Sequence, residues 1–158
     1  MVYCRQAAYP DFTYLIHAEA RRRMEYLGMM TLGDIGYLDD AGFLYLCDRK
    51  ADLVISGGVN IYPVEIEAML IRMPGVADCA VFGIPDPEYG EVLAAHVEPD
   101  PGAKLEPDAV RDFLGARLAG FKVPRVVEFS SALPREETGK IFKRLLREPY
   151  WLGRERRI

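Results

Sequence analysis

Apolar and polar residues alternate on both sides of a short turn in the first third of the chain. The stretch IGYLDDAGFLYLCDR places apolar residues at alternating positions around residues 39–42. An alternation of period two predicts β-strands, and a short loop containing glycine joins such strands in a hairpin. The sequence therefore predicts a β-hairpin lobe. A short helix over residues 18–27, ending at Gly28, is predicted to precede it.

A different pattern begins at residue 53. A short strand at 53–55 runs into Gly57-Gly58, and Pro63 is suited to the first turn of a helix over 63–73. The apolar residues of that helix recur with the spacing of one helical face, at Ile66, Met69, Leu70 and Met73. Further strands are predicted at 76–84, 91–97 and 125–129, and further helices at 107–119 and 141–148. Residues 85–87, Pro-Asp-Pro, predict a rigid loop.

These elements together predict an α+β fold, in which a small sheet is covered by helices and preceded by the hairpin lobe. The clearest boundary lies near Lys50 to Asp52, between the hairpin and the strand–turn–helix unit. A chain of 158 residues has room for one ordinary domain, or for a small domain with an attached lobe.

Composition narrows the functional classes. The formal net charge is −4, so the overall charge does not favour binding to nucleic acid or to an anionic membrane. No run of about 18 apolar residues predicts a membrane span. The N-terminus lacks the pattern of a signal peptide, and we expect a cytoplasmic protein.

The cysteines and histidines do not form a recognisable site. Cys4, Cys47 and Cys79 are far apart and no CxxC motif is present, which favours buried, reduced thiols over disulfides or zinc ligands. His17 and His96 have no partners at metal-ligand spacing. We therefore expect no metal site on this chain.

The stretch PREETGKIFKR contains one lysine, Lys140, behind a Thr-Gly turn. A phosphate-binding P-loop requires GxxxxGK followed by Ser or Thr. Pro134 stands where the first glycine is needed and Ile141 where the hydroxyl is needed, so the P-loop is excluded. The polar residues and Gly139 predict an exposed, mobile lysine, and composition alone favours a solvated loop residue over a catalytic one.

Three segments in a fixed order resemble the C-terminal part of the adenylate-forming enzymes: TLGDIGYLDDAGFLYLCDRKADLVISGGVNIYPVEIE, GVADCAVFGIPDPEYGE and LPREETGKIFKRLLR. This superfamily includes acyl-CoA and aryl-CoA synthetases, peptide-synthetase adenylation domains and firefly luciferase. The resemblance covers residues 31–150. It implies activation of a carboxylic acid by ATP to an acyl-adenylate, followed by transfer to CoA. It also implies that residues 1–50 are a remnant of a large N-terminal domain, and that 51–158 form the mobile C-terminal lid domain.

The resemblance also implies roles for individual residues. Asp34 matches the aspartate that binds the ribose hydroxyls of ATP, and Arg49 matches an arginine near the ribose and phosphate. Lys140 matches the lysine that reaches the substrate carboxylate and the ATP phosphate during adenylation. A cation between two anions offsets their repulsion, so the residue type fits the role.

Two backbone features complete the resemblance. Gly57 and Gly58 match a glycine turn that lines the tunnel for the pantetheine arm of CoA. The hinge of the family falls at Lys50, Ala51 and Asp52. The family often has Asp or Lys where this chain has Ala51, so we expect a hinge without a salt bridge.

Some motifs of the family are not found in the sequence. The Ser/Thr/Gly-rich phosphate loop, the Tyr-Gly-x-Thr-Glu segment and the acyl pocket belong to the N-terminal domain, which would also hold Mg²⁺. We therefore expect the chain to be inactive alone and to need an N-terminal adenylation domain as partner. The expected substrate is a fatty or aromatic carboxylic acid, with a role in fatty acid metabolism. Exposed apolar surface over residues 3–30 would favour self-association.

Three interpretations stay open at this point. The chain is a fragment of an acyl-CoA synthetase, a split subunit acting in trans, or a non-catalytic interaction module on the same fold. Because Asp34, Arg49, the glycine pair and Lys140 are all present, the first two are favoured.

Overall fold

The computed structural model describes residues 1–5 and 18–154. The chain divides into two compact units, Met1–Ala51 and Asp52–Ile158. His17 lies outside the described residues.

The described residues of the first unit form one helix and four short strands. They are α1 (Ala18–Arg23), β1 (Glu25–Tyr26), β2 (Met29–Met30), β3 (Asp34–Leu38) and β4 (Leu44–Arg49). Strands β3 and β4 pair antiparallel, which confirms the predicted hairpin. The Asp39 carboxylate accepts hydrogen bonds from the backbone N–H groups of Ala41 and Phe43, and these bonds order the turn.

The predicted helix over 18–27 is wrong in its second half. The helix ends at Arg23, and β1 and β2 form an antiparallel pair in its place. Leu27 and Gly28 both have positive φ angles, of 51° and 69°. Two consecutive residues in this region turn a tight hairpin, so Gly28 belongs to a hairpin turn and does not cap the helix.

Up to residue 154, the second unit is a five-stranded sheet with helices packed on it. Its elements are β5 (Val54–Ser56), β6 (Val59–Ile61), α2 (Pro63–Leu70), β7 (Val76–Asp86), β8 (Gly90–Pro99), α3 (Pro107–Gly115), β9 (Val126–Phe129), α4 (Lys143–Arg147) and 3₁₀ helices at Gly120–Lys122 and Glu148–Trp151. The strand order is β6-β5-β8-β7, and β9 pairs parallel with β8. The predicted α+β architecture is confirmed.

Strand β8 is buried on both faces. Leu93, Ala95 and Val97 belong to the larger core cluster, which also contains apolar residues of α2 and α3. Val92 and Ala94 point to the opposite face, where Leu146 and Tyr150 pack. Because both faces are covered, most residues of this strand are apolar, and the strand predicted at 91–97 is confirmed.

Several predicted boundaries differ from the structure. Helix α2 ends at Leu70 and α3 at Gly115, each earlier than predicted. Helix α4 begins at Lys143, because Ile141 forms a β-bridge with Arg135. The predicted loop at 85–87 is partly wrong, since β7 continues through Asp86.

Among the described residues, no helix is both long and apolar enough to cross a membrane. The cysteines are free: Cys79 is buried, Cys47 is half-buried and Cys4 is exposed. The expectation of buried thiols is therefore wrong for Cys4. His96 is buried and its Nε2 lies 3.1 Å from the Tyr150 hydroxyl.

Candidate functional site

Lys140 lies in a small hairpin between residues 134 and 142. The backbone N–H of Glu136 donates to the Lys140 carbonyl at 2.8 Å, and that of Phe142 donates to the Pro134 carbonyl at 2.7 Å. Gly139 has a φ of 83°, a conformation that favours glycine. The Lys140 side chain is exposed and forms no hydrogen bond or ion pair with the described residues. The hairpin thus presents a solvated cation.

The base of this hairpin is attached to the sheet by Arg135, a residue that the sequence analysis did not single out. Its guanidinium lies 2.7 Å from the Asp78 carboxylate on β7 and 3.5 Å from the Glu98 carboxylate on β8. The hydrogen bond to Asp78 raises the pKa of Arg135, and the Glu98 carboxylate raises it further. The hairpin is therefore held near the C-terminal end of β8.

Gly57 and Gly58 form the turn between β5 and β6. Their φ angles are 55° and 82°, so both positions favour glycine. A Cβ atom on Gly57 would lie 3.2 Å from Cδ1 of Tyr89, whereas a Cβ on Gly58 would meet nothing within 4 Å. Gly57 is thus restricted by conformation and by space, and Gly58 by conformation alone.

A pocket of about 350 Å³ opens beside the glycine turn. Gly57, Val59, Tyr89, Phe121 and Arg125 are among its lining residues. The Arg125 guanidinium lies 4.6 Å from the centroid of the Tyr89 ring, in a cation–π contact. The pocket therefore combines bare backbone, apolar surface and one cation.

Asp86 orders the rim of this pocket. Its carboxylate accepts hydrogen bonds from the backbone N–H groups of Tyr89 and Glu88, and it lies 3.2 Å from the Arg125 guanidinium. The bond from Tyr89, then that from Glu88 and the charge of Arg125, lower the pKa of Asp86. Asp86 is therefore ionised at neutral pH and holds Arg125 beside Tyr89.

The glycine turn and the Lys140 hairpin are attached to opposite ends of β8. Ser56 pairs with Gly90, the first residue of the strand, and the Gly57 N–H donates to the Tyr89 carbonyl. The Lys140 hairpin is tied to Glu98, near the last residue of the strand. The two attachment points lie about 26 Å apart along the strand, since each residue of a strand adds about 3.3 Å.

Asp34 and Arg49 come together in the first unit. They are register partners across β3 and β4, and Arg49 Nε lies 3.6 Å from Asp34 Oδ1. The Asp34 side chain is 34% exposed and that of Arg49 is 66% exposed. Such an exposed ion pair stabilises the fold little, so both groups stay available to a ligand.

The two predicted hinge residues that flank Ala51, Lys50 and Asp52, each make a contact within their own unit. The Lys50 N–H donates to the Gly33 carbonyl within the first unit. Within the second unit, Asp52 Oδ1 lies 3.6 Å from Arg147 Nη1 of α4. The expectation that the hinge region lacks a salt bridge is therefore wrong, because Asp52 forms one. The division into two units falls directly after Ala51.

Within residues 1–5 and 18–154, no three His, Cys, Asp or Glu side chains form a group that could hold a metal ion.

Comparison with known proteins defines the family. Residues 65–140 match the AMP-binding enzyme C-terminal domain. The chain is 47% identical over 137 residues to a long-chain fatty acid–CoA ligase of Mycobacterium tuberculosis, a match that covers 87% of this chain and 27% of the ligase. It is 47% identical over 116 residues to a feruloyl-CoA synthase of Amycolatopsis, which covers 73% of this chain and 24% of that protein.

A similar structure is ATP-bound MatB from Rhodopseudomonas palustris. It superposes with a TM-score of 0.81 at 39% identity, and the match covers 87% of this chain and 28% of MatB. The chain thus spans about a quarter of the length of the curated relatives that it matches. By its sequence and by its fold, it belongs to the AMP-binding, adenylate-forming family and corresponds to the C-terminal part of that family's enzymes.

Proposed function

We propose that this chain is the lid portion of an ATP-dependent acyl-CoA ligase, with one end of its sheet serving adenylation and the other serving thioester formation. The observation that supports this best is the attachment of Lys140 and the glycine turn to opposite ends of β8. Two sites so far apart on one small domain suit two reaction steps that use different faces of that domain.

Lys140 is the proposed adenylation residue. In this step a carboxylate oxygen of the substrate attacks the α-phosphorus of ATP, and the bond to pyrophosphate breaks. Two anions must meet, and negative charge grows on the phosphate oxygens. An exposed lysine without an ion partner among the described residues can approach both groups and stabilise that charge.

Asp34 and Arg49 are proposed to contact the nucleotide. A carboxylate can accept hydrogen bonds from both ribose hydroxyls, and a guanidinium can donate to phosphate oxygens. Their pairing across β3 and β4 holds the two groups 3.6 Å apart, so one ligand could contact both.

The glycine turn and the pocket beside it are proposed to receive the pantetheine arm of CoA. Gly57 contributes backbone without a side chain, and Val59, Tyr89 and Phe121 contribute apolar surface. A thin chain of alternating amide and methylene groups suits such a lining. In this step the CoA sulfur attacks the acyl carbon and AMP leaves. The change between steps is proposed to occur at Lys50, Ala51 and Asp52.

An N-terminal adenylation domain is the proposed partner. It would supply the phosphate loop, the acyl pocket and the Mg²⁺ ligands. The β3–β4 hairpin favours such a partner, because its apolar side chains are largely exposed: Tyr37, Leu38, Phe43, Leu44 and Leu46. The acids named for the two relatives, long-chain fatty and ferulic, support a fatty or aromatic acid as substrate.

ATP–pyrophosphate exchange with a panel of fatty and aromatic acids tests the proposal. The chain alone is expected to give no exchange. When it replaces the C-terminal part of the mycobacterial ligase, the fused enzyme is expected to exchange, and Lys140→Ala is expected to abolish most of the signal. Exchange by the chain alone would contradict the lid assignment.

The same assay separates the other two interpretations. A split subunit would restore exchange when it is added as a separate chain to the N-terminal domain. A fused enzyme that folds but gives no exchange would favour a non-catalytic module.

A further inference from the structure

Two carboxylates face each other across the central strands of the second unit. Asp78 on β7 and Glu98 on β8 are direct register partners. Their side chains are only 29% and 22% exposed. Like charges directly opposite each other destabilise a strand pair, so this position requires a cation.

Arg135 supplies that cation and also reaches the Lys140 hairpin. Its Nη2 lies 2.7 Å from Asp78 Oδ2 and 3.5 Å from Glu98 Oε2. Its Nη1 donates a hydrogen bond of 3.2 Å to the carbonyl of Gly139. One planar guanidinium thus joins two strands of the sheet to the peptide group that immediately precedes Lys140.

The same carboxylate holds the segment that enters the hairpin. Glu98 Oε2 accepts a hydrogen bond of 2.9 Å from the Leu133 N–H. Residues 135–140 are all exposed, so little packing restrains the tip. Backbone hydrogen bonds join the two arms of the hairpin, and the side chain of Arg135 adds a contact from the sheet to the returning arm at the Gly139 carbonyl.

We propose that Arg135 is a positioning residue for Lys140: by bridging Asp78, Glu98 and the Gly139 carbonyl, it fixes the backbone from which the Lys140 side chain extends. The consequence for turnover rests on the proposed function, because the position of Lys140 affects the rate only if that lysine acts in adenylation. The planar guanidinium makes these contacts simultaneously, whereas a lysine at 135 would supply the charge with only part of them.

Backbone ¹⁵N relaxation on the 158-residue chain tests the anchoring without any reaction. In the wild type the amides of Gly139 and Lys140 should have order parameters of about 0.85, the value of a rigid backbone. In Arg135→Met they should fall below about 0.6, the range of flexible backbone, while the amides of β7 and β8 keep their values. Arg135→Lys should lie between the two.

Arg111→Met is the matched control. Arg111 forms its ion pair with Asp108 inside α3, so this variant also loses one arginine and one ion pair. Its hairpin amides should match the wild type. Unchanged order parameters in Arg135→Met, or an equal fall in Arg111→Met, would overturn the proposal.

The fused enzyme then links anchoring to rate. Arg135→Met should lower the maximal rate of pyrophosphate exchange by about 10- to 100-fold, the typical result of a misplaced catalytic group, with little change in the KM for ATP. Thioester formation from a preformed acyl-adenylate should not change. A loss of order without a loss of exchange would overturn the positioning role. If Lys140→Ala also leaves exchange intact, the proposed function is wrong. The relaxation result still decides whether Arg135 fixes the backbone of the hairpin.

Discussion

The two ends of β8 present opposite kinds of surface. Near Glu98, the Lys140 hairpin offers a charged side chain to solvent. At Gly90, the Gly57–Gly58 turn offers backbone without side chains, beside a pocket of about 350 Å³. At the Glu98 end the proposed function depends on the charge of Lys140, and at the Gly90 end it depends on the space left by the glycines. Different substitutions should therefore reduce the activity of each end. One rigid strand, buried on both faces, keeps them apart.

Lys140→Ala should have the largest effect. Loss of one preorganised group that stabilises transition-state charge typically costs about 10²–10³ in rate. We expect that loss in the pyrophosphate exchange of the fused enzyme. Lys104→Ala, at another exposed lysine of the same unit, is the control and should keep full exchange. Equal losses in both variants would show that general charge, and not this lysine, is what matters.

Gly57→Val should act at the other end of the strand. Its Cβ would press on Tyr89 at 3.2 Å, in a backbone conformation that disfavours valine. Forcing a side chain into occupied space costs about 1–3 kcal/mol of stability. An increase of the same size in the barrier to thioester formation would lower the rate about 5- to 150-fold. The loss should appear when thioester formation from a preformed acyl-adenylate is measured.

Gly58→Val distinguishes the effect of a steric clash from the effect of backbone strain at this turn. Gly58 also has a positive φ, but no atom lies within 4 Å of the position of its Cβ. We expect this variant to be destabilised by strain and to lose less thioester activity than Gly57→Val. The reverse order would argue against the pocket beside Gly57.

The smallest effect concerns His96, which lies on β8 between the two ends. Burial lowers the pKa of His96, and the nearby Glu128 carboxylate only partly opposes this. The unfolded chain therefore binds a proton at His96 more readily than the folded chain. Stability should fall as the pH drops below about 6.5, the ordinary histidine pKa, and should be regained as the pH rises.

Urea unfolding between pH 5 and pH 8 measures this dependence. His96→Gln should weaken it, and the difference between the two proteins isolates His96 from other titrating groups. Identical pH profiles would show that protonation of His96 does not contribute to the pH dependence of stability. Neither end of β8 should lose activity in this variant at pH 7.5.

Local patterns in the sequence predicted most of the fold. Alternation around residues 39–42 predicted the β3–β4 hairpin, and the strand predicted at 91–97 corresponds to β8. The helix at 18–27 was predicted too long, because the pattern did not reveal that Leu27 would take a positive φ.

The candidate site could be predicted only in part. Lys140 and the glycine pair stand in compact motifs, so the resemblance of those motifs to the family was enough to propose them, although composition alone favoured a solvated lysine. Arg135, Tyr89 and Arg125 were missed, because their contacts join segments that lie far apart in the sequence. Asp78 and Glu98, for example, face each other only after β7 and β8 have paired.

The most direct test measures both half-reactions in the same fused enzyme, for Lys140→Ala and Gly57→Val side by side. The account predicts a crossed pattern: Lys140→Ala loses pyrophosphate exchange and keeps thioester formation, and Gly57→Val does the opposite. If each variant loses both half-reactions in equal proportion, the two ends of β8 do not serve separate steps and the account is contradicted.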